Sequence, residues 1–547
     1  GLDGVTILGG ASGNSIQGNV IGLAADGDAA LGNGANGILI DGAGSTLIGG
    51  LVPEARNVIS ANGEYGIQLA NPATDSTEIK GNYIGLDATG ASDRGNTLAG
   101  ILAFDTTDTS IGSGEAGGGN VVSGNGGDGI VVDGPQTTAP IIKGNYIGVD
   151  ANGAAAVANS LAGLAVKGGA SGFTIGGVLD AERNVISGNT EDGAFLDGVS
   201  NLNLYNNYIG VAADGTSPLG NGLDGVLVVN SSLSIEVGGT AAGQSNVIAH
   251  NGTNGVELDS TANRVSIRRN AIHTNGSGGI AIAAGGNGGL VAPTITAIGS
   301  VTGVAPAATE VEIFTDDEDE GRVYLDTVVS GGGFSSTIDI SALQGEFLTA
   351  TATDDIGNTS AFSSAFQVPV FPLLTREGPG NGFYIAGQTI NVTATIDYTS
   401  TAPITSFLLT ETIPAGWTFD SIAFVSSALA AVPQTGQGGP LVFSWTVAPA
   451  FPLTLTYRLV VPAAETATVQ ISGHATFDFG AGGIDGGIVT TEIVPDTAPP
   501  EITLVNGPSL SIECGDTFVD PGFTALDNGN IDLTADVNVA GTVDGGN

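Results

Sequence analysis

The sequence predicts an all-β chain: a three-sided parallel β-helix over residues 1–290, followed by tandem β-sandwiches. Three observations predict it. An Asn-centred segment recurs through the first half, an Asn-x-x-x-Gly signature follows it each time, and both stop near residue 291, where longer alternating strands begin.

The segments GNVIG, RNVIS, GNYIG, GNVVS, GNYIG, RNVIS, NNYIG, SNVIA and RNAIH place asparagine at Asn19, Asn57, Asn82, Asn120, Asn145, Asn184, Asn207, Asn246 and Asn270. Steps of 38 or 39 residues alternate with steps of 23 to 25, so two unequal coils make a super-repeat of 62 or 63 residues. The second signature pairs Asn33 with Gly37, Asn62 with Gly66, and so on to Asn275 with Gly279, always four apart. Each glycine opens a short apolar run such as ILI, IVV or VLV, the period-2 pattern of a strand. A third strand precedes each first asparagine, ending at residues such as Ile48, Ile111 and Ile175.

Three short strands per coil describe a three-sided solenoid with inward Ile, Val and Leu. The asparagines are expected to form ladders, amide bonding to amide from coil to coil. Nine full coils and a leading partial one, stacked at roughly 4.8 Å each, make a rod of about 45–50 Å.

The long coils carry two insertions at fixed phase. Nine residues (23–31, 86–94, 149–157, 211–219) separate the two Asn signatures, and six more precede the next first asparagine. Insertions at fixed phase map to loops on fixed edges, so two rows of loops are expected.

With these motifs in hand, residues 1–290 resemble the right-handed parallel β-helix repeat proteins of bacterial surfaces, built on NVISGN, NGI-x-I and GNYIG, with the fold of the pectate-lyase-like superfamily. The resemblance implies a right-handed helix. That superfamily holds lyases, hydrolases, adhesins and inert fibres, so it does not choose an activity.

Residues 291–370 read as a small Ig-like sandwich ending in TATATDDIGNTSAFS. Residues 371–495, with TINVTATIDY, IPAGWTF and LTLTYRLVVP, resemble DUF11-type bacterial modules. Residues 496–547 resemble a DUF5011/HYR-like Ig module. In that family a second cysteine often follows Asp-Asn. Here Gly529 follows Asp527 and Asn528, so Cys514 lacks that partner, and the module stops before its last strands.

Composition excludes several classes. Lys plus Arg is 12 and Asp plus Glu 55, a net charge of −43, which repels nucleic acid and anionic membranes. Charged residues are only 12 %, so this is not a disordered acidic tail. No run is apolar enough for direct membrane insertion of this segment. The single cysteine excludes an intrachain disulfide and a CxxC metal site. A secreted or cell-surface location is expected, with a signal peptide ahead of the first residue.

Candidate ligand-binding residues are mostly acidic. Asp26, Asp87, Asp150 and Asp214 recur in the nine-residue loops and are candidate Ca²⁺ ligands, although the spacing matches no Ca²⁺-roll repeat. The run Asp316-Asp317-Glu318-Asp319-Glu320 reads as a solvated hairpin loop, with Asp316, Asp317 and Asp319 as weak cation ligands. Asp41, Asp133, Asp197 and Asp259 follow the corner glycines by four residues and are expected to form turns. Arg56 and Arg183 share a repeat slot with Gly119 and Ser245, and residues in register read as structural. Tyr83, Tyr146 and Tyr208 form a column expected to pack, with stacking on sugars as the alternative. His250 and His273 are offset by one in register, which argues against a shared metal.

Three functions compete: an extracellular structural or adhesive surface protein, such as a subunit of a cell-surface filament or layer, which rests on repeat regularity; a polysaccharide lyase or hydrolase, resting on fold alone; and a carbohydrate-binding surface protein. Regular insertions with no irregular break favour the first, and no catalytic residue is assigned. Expected partners are other copies of the chain, end to end or side by side, and surface glycans. The candidate cofactor is Ca²⁺ alone.

Overall fold

An inward Ile, Val or Leu recurs at one phase of every coil, and only a stack in strict register buries them all. The computed structural model describes residues 2–297, 301–369, 371–378, 382–398, 404–445, 449–478, 483–497, 501–505 and 523–526. It falls into two compact units, Gly1–Val368 and Pro369–Asn547.

The first unit contains three parallel sheets of ten, nine and nine strands, one per face of the solenoid. In chain order, the first face begins with Val5–Leu8, the second with Ser15–Ile16 and the third with Val20–Ile21. Equivalent residues align coil on coil. Ile40, Leu69, Ala103, Val132 and Val166 are consecutive partners on the first face and are fully buried. Each fully buried Ile or Leu contributes roughly 1.5–3 kcal/mol. No α-helix occurs among the described residues, and none of their helices is long and apolar enough to cross a membrane.

Both corner asparagines are bonded along the stack, and within it they are buried. Asn145 Nδ2 donates to Asn184 Oδ1 at 3.0 Å and to the Ile111 carbonyl at 2.9 Å. Its own Oδ1 accepts from Asn120 N and Nδ2. The same amide-to-amide bond links Asn19 to Asn57, Asn57 to Asn82, Asn82 to Asn120, Asn184 to Asn207, Asn207 to Asn246 and Asn246 to Asn270. A parallel ladder runs from Asn33 through Asn159 to Asn275. A buried amide left without partners would cost its full desolvation, so each rung locks its neighbours in register.

Residues 294–367 follow as two antiparallel sheets that close the end of the stack. Glu310–Asp316 and Val323–Val329 form a hairpin whose connecting turn pairs Gly321 with Ile272 of the last coil. Glu312, fully buried, accepts from Arg268 Nε at 2.8 Å and Arg269 N at 3.1 Å. Thr359 Oγ1 accepts from Ile267 N, and Asn287 bonds both backbone groups of Val265. Phe362 packs on the end of the core.

The second unit is a two-sheet sandwich. One sheet holds Leu373–Glu377, Thr389–Asp397, Leu453–Val460 and Thr418–Val425, and the other is built on Ser406–Thr412 and Val469–Asp478. Between them Arg376 is bidentate to Glu411, at 2.9 and 3.0 Å, and Tyr457 donates to the same carboxylate at 2.9 Å. Burial raises the Glu411 carboxyl, against the pull of Arg376. Further on, Glu501–Leu504 pairs with Phe523–Leu526. Cys514, and with it most of the last module, lies outside the described residues.

Candidate functional site

The third face has short strands, of two or three residues, and a row of loops along each edge. Along one edge run the nine-residue loops, bonded to one another: Ala88 N donates to Gly27 O, Ala151 N to Gly90 O and Ala213 N to Gly153 O, each at 2.8 Å. Along the other edge the six-residue loops accept from the corner of the preceding coil, as in Gly81 N to Gly118 O and Gly144 N to Glu182 O. The two rows enclose a groove parallel to the stacking axis, with a cavity of about 520 Å³ at its centre.

Alternation of inward and outward side chains leaves one outward residue per coil on the floor. In register these are Tyr83, Val121, Tyr146, Val185 and Tyr208. Each tyrosine stands in a coil with a nine-residue loop, and a loop glycine lies against its ring. A Cβ at Gly153 would come within 3.1 Å of Tyr146 Cε2, and one at Gly215 within 2.6 Å of Tyr208 Cζ.

The arginine slot gives this column its function-like irregularity. The Arg56 guanidinium lies 4.0 Å from the Tyr83 ring centre, and that of Arg183 lies 4.2 Å from Tyr208. Arg56 Nε donates to Gly81 O, while Arg183 bonds Asn206 and Asp180. The equivalent residue before Tyr146 is Gly119, and a Cβ there would lie 1.9 Å from the Gly144 carbonyl oxygen. Among the described residues no guanidinium lies over Tyr146 as one does over Tyr83 and Tyr208, and the cavity opens at that ring.

The loop aspartates serve their own loops. Asp87 accepts from Thr89 Oγ1 and from the N–H groups of Ala91 and Ser92, and Asp150 from Asn152 and the N–H groups of Ala154 and Ala155. Burial raises both carboxyls, but these donors outweigh it and leave them below the ordinary value. Asp214 is held down to about 2 by the Ser217 hydroxyl and N–H and by Thr216 N–H. Asp26 is lowered by the N–H groups of Asp28 and Ala29. Among the described residues no three His, Cys, Asp or Glu side chains converge as a metal would require. Asp26, Asp87, Asp150 and Asp214 therefore stand apart, one per loop. Asp259 behaves alike, bonding Thr261 and Ala262.

The acidic run departs from the expected solvated loop. Asp316 and Glu320 are buried, whereas Asp317, Glu318 and Asp319 are exposed. The physical reason is the hairpin's docking on the last coil, which turns its first and last carboxyls inward. Asp316 is pushed up to about 7 by burial, with Asp317 beside it, and Arg322 pairs with both. Glu320 is pushed up to about 7 by burial. His250 and His273 meet edge to face, 5.8 Å between ring centres, and burial pushes His273 down to about 4.

Sequence reasoning passed over three acidic residues on the first face. Asp128, Asp192 and Asp224 each precede a corner glycine, and each carboxylate accepts an N–H from a residue one coil on: Ala162, Asp224 and Asn254. Burial raises Asp192 to about 6, with Asp224 adding repulsion. The signal was an Asp-Gly pair at one phase of the repeat.

Comparison with known families matches residues 94–296 to the right handed beta helix region and residues 502–547 to the Ig-like domain of bacterial surface proteins. The chain thus contains a parallel β-solenoid of about nine turns, and its C-terminal residues match the model of a bacterial surface Ig-like domain. The comparison with curated proteins gave no match. Solved structures with some likeness include the Azotobacter vinelandii mannuronan C-5 epimerase AlgE4 A-module (16% identity, 51% of this chain and 80% of that one, TM-score 0.25). Others are the Corynebacterium diphtheriae major pilin SpaD (11% identity, 35% and 61%, TM-score 0.21) and the bacteriophage CBA120 tailspike protein 2 enzymatically active domain (12% identity, 84% and 71%, TM-score 0.26). Likenesses this low carry no argument about function.

Proposed function

We propose that the chain is a structural or adhesive component of a bacterial cell surface, secreted or surface-bound, in which the coil stack is a stiff binding platform. The observation that carries this reading is the pair of unbroken asparagine ladders flanked by loop rows that are themselves bonded coil to coil. A surface held by backbone and buried amides loses little conformational freedom when it binds, and that favours adhesion. The match to a bacterial surface Ig-like domain supports the location. In this reading residues 371–495 are a DUF11-like spacer and residues 496–547 a DUF5011/HYR-like one. Partners are surface glycans and further copies of the chain, in a filament or layer.

The test is immunogold labelling of intact cells with antibody against the coil stack. Surface label is expected; label that appears only after lysis overturns the reading.

A polysaccharide hydrolase is the second reading. One observation favours it: the carboxyls of Asp192 and Asp224 stand at the same phase of adjacent coils, and burial pushes that of Asp192 up to about 6. Release of reducing ends from a glycan, abolished in Asp192→Asn, would establish it.

A further inference from the structure

We propose that the groove on the third face binds a neutral, linear glycan, with one sugar ring stacked on Tyr146. This deepens the adhesive reading and rests on it only for its biological meaning.

The site is made by a gap in the repeat. Where the repeat places an arginine over the tyrosine of the next coil, at Arg56 over Tyr83 and Arg183 over Tyr208, the Tyr146 coil has Gly119. The Gly144 carbonyl would collide with any side chain there, so the space is kept clear by the backbone itself. Tyr146 therefore presents a ring to an open cavity of about 520 Å³, with a cation–π pair on either side along the groove.

The chemistry selects the ligand. An aromatic face carries negative π density and attracts the weakly positive C–H groups of a sugar's flat face. The charged side chains lining the cavity are Arg56, Arg183, Glu115 and Asp180, two of each sign. Guanidinium and carboxylate groups together donate to and accept from hydroxyls, as a polyol requires. The balance gives no preference for an anion, and the net charge of −43 would repel an acidic polymer. The groove is straight, walled along both edges, and spans four coil steps from Tyr83 to Tyr208, about 19 Å at the usual strand spacing. That length suits an extended chain of several sugars better than a monosaccharide.

The experiment is isothermal titration of the full chain with cellohexaose, mannohexaose and xylohexaose, and with hexagalacturonate as the acidic arm. At least one neutral hexasaccharide is expected to bind, Tyr146→Ala to weaken it tenfold or more, and Tyr146→Phe to keep it. An unchanged thermal midpoint for Tyr146→Ala separates lost binding from lost fold. Equal affinity in wild type and Tyr146→Ala, binding of hexagalacturonate alone, or no binding of any hexasaccharide overturns the proposal. None of these results alters where the protein is found on cells, so the surface reading stands or falls separately.

Discussion

Glu320 receives the last rung of the second asparagine ladder. Its carboxylate accepts from Asn275 N at 3.2 Å and faces Asn275 Nδ2 at 3.4 Å, where the Oδ1 of a further asparagine would stand. A solenoid end otherwise leaves backbone donors without partners, and here the hairpin carboxylates supply acceptors, Glu320 to Asn275 N and Glu312 to Arg269 N.

Replacing Glu320 by alanine removes that acceptor. The cost expected is about 1 kcal/mol, the low end of the penalty for an orphaned donor because Asn275 is half-buried, and it should be concentrated in the last coil. Hydrogen exchange checks this: the Asn275 amide should exchange faster in Glu320→Ala, with Asn145 unaffected.

Ladder position should set the cost of losing a rung. Asn145 is buried and bonded on both sides, so Asn145→Ala orphans groups on Asn120, Asn184 and Ile111. Asn19 is exposed and bonds one neighbouring rung, Asn57. Urea unfolding should show a loss of about 4 kcal/mol for Asn145→Ala and about 1 kcal/mol for Asn19→Ala. Equal losses would mean that the ladder does not work as a chain of coupled rungs.

Acidity should stabilise the first unit before it destabilises it. Glu320 and Asp316, raised from 4.5 and 3.8 to about 7, and Asp192, raised from 3.8 to about 6, bind protons more tightly folded than unfolded. Their contribution is full below the unfolded values and is lost as pH rises through about 6 to 7. Asp214 has the opposite sign. Its folded value of about 2 lies below 3.8, so its contribution is present above 3.8 and lost as pH falls toward 2. Thermal melts across pH should therefore peak between about 4 and 5, and Glu320→Gln should flatten the neutral side of the peak.

In the second unit, Arg376 and Glu411 are a fully buried ion pair. Arg376→Ala leaves a buried carboxylate uncompensated and should cost about 3–5 kcal/mol. Replacing Arg376 and Glu411 together by leucine should cost much less, measured by chemical unfolding of the full chain.

The coil stack could be read from sequence because its rule is local and repeated. Asn145 and Ile147 occupy the phase that Asn82 and Ile84 occupy one super-repeat earlier, and a period of that kind has one packing solution. The closure by Glu320 could not be read, since five adjacent carboxylates carry no mark of which two a tertiary contact will bury. The loop aspartates are ambiguous for a related reason: a carboxylate that ligates a cation and one that closes its own turn look alike in sequence, and Asp87 accepts from the N–H groups of its own loop. The groove lay between these cases. Tyr146 and the Arg56, Gly119, Arg183 slot were visible as columns, but only the fold sets the slot over the tyrosine of the following coil.

The measurement that tests the platform most directly is a crystal structure of the full chain soaked with the hexasaccharide it binds best. An intact oligosaccharide lying along the third face, with a ring over Tyr146, is the result expected. A saccharide held instead on the first face beside Asp192 and Asp224, or cleaved there, would contradict it.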